Sequence, residues 1–275
     1  MRTYQKGKIT DSAVSEAVGF ILIFGIMLSG IGLITLYGYP MLLQEQQNTN
    51  IRNMERNMIV LQSDVNSLVF KSVPYKETTM QVSGGVLSVK SPGSASSTFK
   101  ISNSTGQLLE VVPAGTFSSG ELHFLSDSGD INLGLENGAV VKQQAGGSVM
   151  LSEPRWFTDT SSGDTLVITL IQVDDSGSSL AKTGIITVRM SIEPLNISAG
   201  TDHVPFTDDD TNIIDDDTPN QDIQIQIAQS SSEKYYKAWQ NYFEGTLGMT
   251  SVGSDTWKRT GVDRVIIKAW KIKVI

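Results

Sequence analysis

The sequence predicts an α+β protein in which a long N-terminal membrane-to-amphipathic helix leads into an extracellular, mostly antiparallel, β-sandwich-like domain. Three observations carry this. An uncharged, largely apolar run of 28 residues lies between Glu16 and Glu45. An apolar stripe at heptad spacing follows, from Ile51 to Leu68. From Tyr75 on, short alternating runs are separated by Gly, Ser, Asn and Asp clusters, the cadence of strands and turns. The 275 residues divide accordingly into a basic leader (1–13), a transmembrane or filament-core helix (14–44), an amphipathic stem (45–74) and a β-rich domain (75–275).

The run after Glu16 exceeds the roughly 20 helical residues that cross a bilayer. A secretory signal peptide has a shorter apolar core, about 7 to 15 residues, followed by a small-residue cleavage site, and here the apolar run simply continues. Arg2, Lys6 and Lys8 precede the run, whereas both signs of charge follow it, so the positive-inside rule puts the N-terminus in the cytoplasm and the rest of the chain outside. Gly25, Ser29 and Gly32 lie on or near one helical face, where small residues let a second helix backbone approach closely. Pro40 lacks a backbone donor and marks a place for a kink.

Ile51, Met54, Met58, Leu61, Val65 and Leu68 are spaced 3, 4, 3, 4, 3, with polar residues between them. This makes the stem an amphipathic helix, and so short a stripe suits packing against the protein's own downstream domain better than an independent coiled coil. As one helix, the segment from Val14 to about Phe70 would measure on the order of 85 Å.

The short basic leader, the segment Asp11-Ser12-Ala13-Val14-Ser15-Glu16-Ala17-Val18-Gly19 and the uninterrupted apolar run resemble the N-terminus of archaeal type IV pilin-like and archaellin-like surface proteins. The resemblance implies cleavage by a prepilin peptidase-like enzyme between Ala13 and Val14, which leaves the apolar helix on the mature subunit. It also implies assembly with further copies or other pilin-like subunits through a bundle of such helices. Two readings fit Glu16: a carboxylate that pairs with a neighbouring N-terminal amine inside the bundle, or an interfacial residue favoured by the helix macrodipole.

In the outer domain, strands are expected at 78–82, 86–90, 98–102, 107–112, 131–135, 140–144 and 148–152. Residues 165–173 and 184–192, joined by a polar loop, read as a long hairpin. Ile223, Ile225 and Ile227 alternate with polar residues, as in a half-buried strand. A helix is expected over 233–244, capped by Ser231 or Ser232, with Tyr235, Tyr236, Trp239, Tyr242 and Phe243 toward the core. A last strand, 265–275, alternates Trp270, Ile272 and Val274 with Lys271 and Lys273, which reads as a lysine-protected edge.

Charge and chemistry complete the picture. Lys and Arg number 21 against 29 Asp and Glu, a net charge of −8 that gives nucleic acid no basic footprint. Cysteine is absent, so disulfides, thiolate metal sites and cysteine nucleophiles are excluded. Residues 202–222 hold eight Asp and no Lys or Arg, and they read as an acidic loop. Within it Asp208, Asp210 and Asn212 offer oxygens at alternate positions, as a calcium loop does, although the turn glycine and bidentate Glu of an EF-hand are missing. A cation site and a solvated spacer both fit. Asn103-Ser104-Thr105 and Asn196-Ile197-Ser198 are glycosylation acceptors in an extracellular domain. His123 and His203 stand in no recognisable catalytic or metal pattern, so no enzyme and no obligatory cofactor is expected. The expected function is a structural cell-surface protein, a pilin-like filament or pseudopilus subunit. Alternatives are a monomeric membrane-anchored adhesion module and, more remotely, an anchored polysaccharide hydrolase.

Overall fold

The computed structural model describes residues 11–93, 97–103, 116–161, 163–175, 181–197, 212–229 and 235–275. The chain divides into two compact units, Met1–Thr49 and Asn50–Ile275. In the first, α1 (Asp11–Leu33) runs into a π-helical turn at Ile34–Gly38, after which α2 (Tyr39–Phe70) begins. The Tyr39 N–H reaches back to Ile34 O, and Tyr39 keeps right-handed helical angles. Widening the turn relieves the clash that a proline ring makes with the carbonyl four residues earlier, so Pro40 is accommodated by a π turn placed just before it.

The second unit holds two sheets. The larger has ten strands in the order β7-β6-β5-β4-β1-β10-β15-β9-β8, with β11 beside β15. These strands are β1 (Tyr75–Lys90), β4 (Glu121–Ser126), β5 (Ile131–Glu136), β6 (Ala139–Gln144), β7 (Gly147–Ser152), β8 (Phe157–Asp159), β9 (Thr165–Asp175), β10 (Ala181–Pro194), β11 (Ile213–Asp216) and β15 (Arg264–Val274). The smaller sheet runs β13-β14-β12-β2-β3. Its strands are β2 (Ser97–Asn103), β3 (Phe117–Ser118), β12 (Gln221–Gln229), β13 (Thr250–Ser251) and β14 (Thr256–Val262). The short helix α3 (Tyr236–Gly245) lies between β12 and β13 in the chain. Strand pairings are antiparallel except that of β15 with β9 and an isolated bridge at Ser161 and Gly163.

The large sheet is apolar on both faces. One face packs with α2, through Met54, Met58, Leu61, Val65 and Leu68 against Val82, Phe124, Val188 and Ile272 among others. The other packs with the small sheet and α3, through Ile168, Val265 and Ile267 against Phe99, Ile225, Trp239 and Trp257. Strand periodicity explains how β15 serves both cores: Val265, Ile267 and Ala269 point one way, Ile272 and Val274 the other. Its neighbour β9 repeats the switch, with Leu166, Ile168 and Leu170 before Ile171 and Val173.

Several expectations are corrected. Residues 78–82 and 86–90 form one strand, β1, whose register shifts between Val82 and Leu87. Gly85 sits in that irregularity, where a Cβ would come within 2.3 Å of Leu125 O, so only glycine fits. Strands β9 and β10 are not a hairpin, because β15 lies between them. For the same reason β15 is no edge strand. Its lysines reach across to neighbouring strands, Lys271 to Asp174 at 2.6 Å and Lys273 to Glu193 at 2.7 Å. The acidic segment 202–222 is not loop throughout: residues 213–216 form β11 against β15, with Ile214 buried and Asp215 paired bidentately to Arg264 at 2.8 and 2.6 Å. Helix α3 starts at Tyr236 rather than Glu233. The expected strand 107–112 and the caps Ser231 and Ser232 lie outside the described residues.

Met58 is fully buried where α2 meets the sheet. Met58→Ala is expected to destabilise the Asn50–Ile275 unit by about 2–5 kcal/mol, measured by chemical denaturation of the membrane-reconstituted chain.

Candidate functional site

From Ala17 on, helix α1 is apolar all round. Val18, Phe20, Ile21, Leu22, Ile23 and Phe24 each expose half or more of their surface, and Ile26, Met27, Leu28 and Ile31 are similarly open. The hydroxyls of Ser29 and Thr35 turn inward on the helix backbone: Ser29 Oγ donates to Gly25 O at 2.7 Å and Thr35 Oγ1 to Ile31 O at 2.9 Å. Such back-bonding keeps these two hydroxyls from needing water, as suits a helix immersed in lipid or among other apolar helices. At Gly25 and Gly32 a Cβ would meet nothing within 4 Å, so neither glycine is needed for packing within the chain. Their smallness is available to a second helix. Glu16 is exposed in the second turn of α1, and Ala13 and Val14 fall in its first.

The stem half of the helix is held by side chains of specific kinds. All six stripe residues, Ile51, Met54, Met58, Leu61, Val65 and Leu68, are buried. Among them stands a buried polar residue, Gln62, whose Nε2 donates to Gly138 O at 2.7 Å and to Glu153 O at 3.0 Å. Glu55 pairs with Lys142 at 2.7 Å. Gly138 belongs to the tight turn between β5 and β6, in which Asn137 and Gly138 both have positive φ, 47° and 76°. Gly suits such a position, and Asn tolerates it better than most residues.

The two residues before Gly138 extend the network. Asn137 Oδ1 accepts from Ile171 N at 2.9 Å, fixing the turn to β9. Glu136, fully buried, accepts from Trp239 Nε1 at 2.6 Å and from Ser97 Oγ at 2.9 and 2.8 Å. Its carboxylate thus joins the large sheet to α3 and to β2 of the small sheet. A second buried carboxylate, Glu121, pairs with Lys90 at 2.7 Å. Tyr235 approaches it beside Gly134, where a Cβ would stand 2.5 Å from the Tyr235 hydroxyl and 2.8 Å from Glu121 Oε2. Burial, reinforced by the Glu121 charge and opposed by the Trp239 and Ser97 hydrogen bonds, raises the Glu136 pKa to about 7. Burial and the same two carboxylates hold the Tyr235 phenol well above its ordinary value. Glu121, Glu136 and Tyr235 expose 1%, 0% and 3% of their surfaces, so the cluster offers a substrate nothing to touch. It connects layers.

A family model described as a family of unknown function, DUF7289, matches residues 13–273. The chain belongs to the DUF7289 family. The match spans α1, α2 and both sheets, so the apolar helix and the β-rich unit are parts of one DUF7289 architecture. No curated protein and no solved structure matches the chain.

The remaining sequence-derived candidates of this DUF7289 protein are scattered. Asp208 and Asp210 lie outside the described residues. Asn212 is buried, and its amide donates to Ala269 O at 3.3 Å, which commits that side chain to the sheet interior beside β15. Among the described residues no three acidic or His side chains converge on a common point. Asn103 ends β2 and is half-buried, and Asn196 is exposed after β10, while the Ser and Thr of their triplets lie outside the described residues. His123 is buried on β4, its Nε2 3.1 Å from Asn132 Oδ1 on β5. His203 lies outside the described residues. Sequence reasoning missed Glu121 and Glu136. The one signal was Glu136-Asn137-Gly138 itself, an Asn-Gly hairpin turn preceded by an acid.

The sign of the Glu136 effect follows from its raised pKa. Between the ordinary value of 4.5 and about 7 the folded state binds more protons than the unfolded one, so stability falls as pH rises through that window. Below the window the carboxyl is neutral in both states and has no effect, and above it the full penalty applies. Glu136→Gln is expected to remove this decline, so that the stability difference between variant and parent grows by a few kcal/mol from pH 4.5 to pH 8. Urea titrations at several pH values measure it.

Proposed function

We propose that this protein is a non-enzymatic surface subunit, anchored and assembled through α1 and displaying its β-rich unit outside the cell, as a pilin-like component of a filament or pseudopilus. The observation that carries the reading is the contrast along the helical segment. From Val18 to Leu43 its large apolar residues are exposed, and from Ile51 on its apolar stripe is buried against the large sheet. Among the described residues one helix is long and apolar enough to cross a membrane. So large an exposed apolar surface demands a partner, either lipid or other helices of the same kind. Lipid serves a newly inserted subunit, and a bundle of α1 helices serves an assembled one. The open positions at Gly25 and Gly32, with the exposed Ser29 between them, suit the second state.

The resemblance of the basic leader and the uninterrupted apolar run to pilin-like N-termini supports the reading. Cleavage between Ala13 and Val14 by a prepilin peptidase-like enzyme would then produce the mature helix. A monomeric anchored adhesion module is the second reading, favoured by a helix long enough to hold one copy in a bilayer.

Two outcomes separate these. N-terminal sequencing of native protein is expected to begin near Val14, with the protein recovered in sheared, sedimenting filaments. An uncut terminus found solely in washed membranes would overturn the filament reading. The double variant Gly25→Ile, Gly32→Ile is expected to abolish filaments while leaving the anchor inserted, because β-branched side chains block close helix approach. Electron microscopy and carbonate extraction read the two effects separately.

A further inference from the structure

A concave space of about 290 Å³ lies between α2 and β1, lined by Asn50, Asn53, Arg56 and Asn57 of the helix and Gln81 and Ser83 of the strand. We infer that this groove is a binding site for a hydroxyl-rich anion, specifically an acidic saccharide that presents a carboxylate to Arg56 and ring hydroxyls to the carboxamides. The inference goes beyond the proposed function and does not depend on whether the protein polymerises.

The geometry has a simple origin. Asn50, Asn53 and Asn57 fall at helical spacing on one side of the buried stripe, and Gln81 and Ser83, two apart, share a strand face. Gly84, with φ 71°, closes one end. A Cβ there would stand 3.1 Å from Asn50 Cβ and Nδ2, so the glycine lets helix and strand come together at this point. Asn57 is fixed by the bond from its Nδ2 to Gln81 O at 3.2 Å. The side chains of Asn50, Asn53, Arg56, Gln81 and Ser83 make no hydrogen bond or ion pair among the described residues, so their polar groups face the groove or its mouth unspent.

The chemistry of that set is selective. A carboxamide donates and accepts, as a sugar hydroxyl does, so three asparagines and a glutamine match a polyhydroxyl ligand at several points. Arg56 adds a planar fork suited to a carboxylate. No acidic side chain lines the space, and the adjacent helix acid, Glu55, is committed to Lys142 at 2.7 Å. The groove therefore keeps an uncompensated positive charge in a protein of net charge −8. No aromatic ring lines it, so a flat apolar ligand finds no platform there.

The test is calorimetric titration of the full chain in lipid nanodiscs with digalacturonate, its neutral counterpart galactobiose, and acetate. Digalacturonate is expected to bind at least about tenfold more tightly than galactobiose, the increment of a charge-assisted hydrogen bond, and more weakly as salt rises. Arg56→Gln is expected to remove that difference, and Arg56→Lys to restore part of it. Asn53→Ala with Gln81→Ala should weaken both sugars. These three residues are exposed and free of internal partners, so the thermal midpoint serves as the folding control. Absence of binding, equal binding of the acidic and neutral sugars, an unchanged Arg56→Gln, or displacement of digalacturonate by equimolar acetate would each overturn the assignment.

Discussion

Three consecutive residues, Glu136, Asn137 and Gly138, hold the layers of the β-rich unit in register. Glu136 grips Ser97 and Trp239, Asn137 grips the backbone of β9, and Gly138 receives Gln62 from the stem helix. The apolar cores on either side of the large sheet supply most of the driving force, but hydrophobic contact is non-directional and permits sliding. Directional bonds from one tight turn to two helices and two further strands remove that freedom. An ionisable group at the centre of such a device is a strained choice, since burying a carboxylate beside another disfavours its charge. What it contributes is geometric definition, through two different donors converging on one carboxylate.

The same economy appears in the large sheet. Two of its strands, β9 and β15, carry apolar residues on opposite faces in successive halves, so one sheet supports the stem helix on one face and the small sheet with α3 on the other. Ile171 illustrates the coupling: its backbone N–H bonds Asn137, while its side chain belongs to the core beneath α2. A displacement of the stem would therefore be felt in the strand that also backs α3.

Much of this was legible in the sequence, and the parts that were not have physical reasons. The 3-4 spacing from Ile51 to Leu68 names the buried face of α2 because a single helix on a single sheet obeys its own periodicity. The aromatic residues of α3 were equally plain, since Trp239 and Phe243 recur one turn apart. Alternation in β15 showed its two faces but not its neighbours: whether a strand is central or at an edge depends on partners distant in sequence. Strand β4, Glu121–Ser126, escaped notice because it is buried on nearly every residue and lacks alternation. Glu121 and Glu136 read as ordinary surface acids beside turns. Their burial depends on Trp239 and Tyr235, about a hundred residues away. The polar groove was invisible for a similar reason, since Asn53 and Gln81 meet only when α2 lies along β1.

The position of β15 has a temporal consequence. Strands β9 and β10 have no pairing with each other and meet only through β15, so Thr165 waits for Arg264, and Met190 for Val274. A nascent chain presents α1 first and the keystone strand last. Helix α1 is therefore complete long before the two halves of the large sheet can close, and pairings so remote in sequence are slow to form. The edges of β9 and β10 that face each other stay open until residues 264–274 arrive between them. Closure of the large sheet is in this sense a late, single event, timed by the arrival of β15.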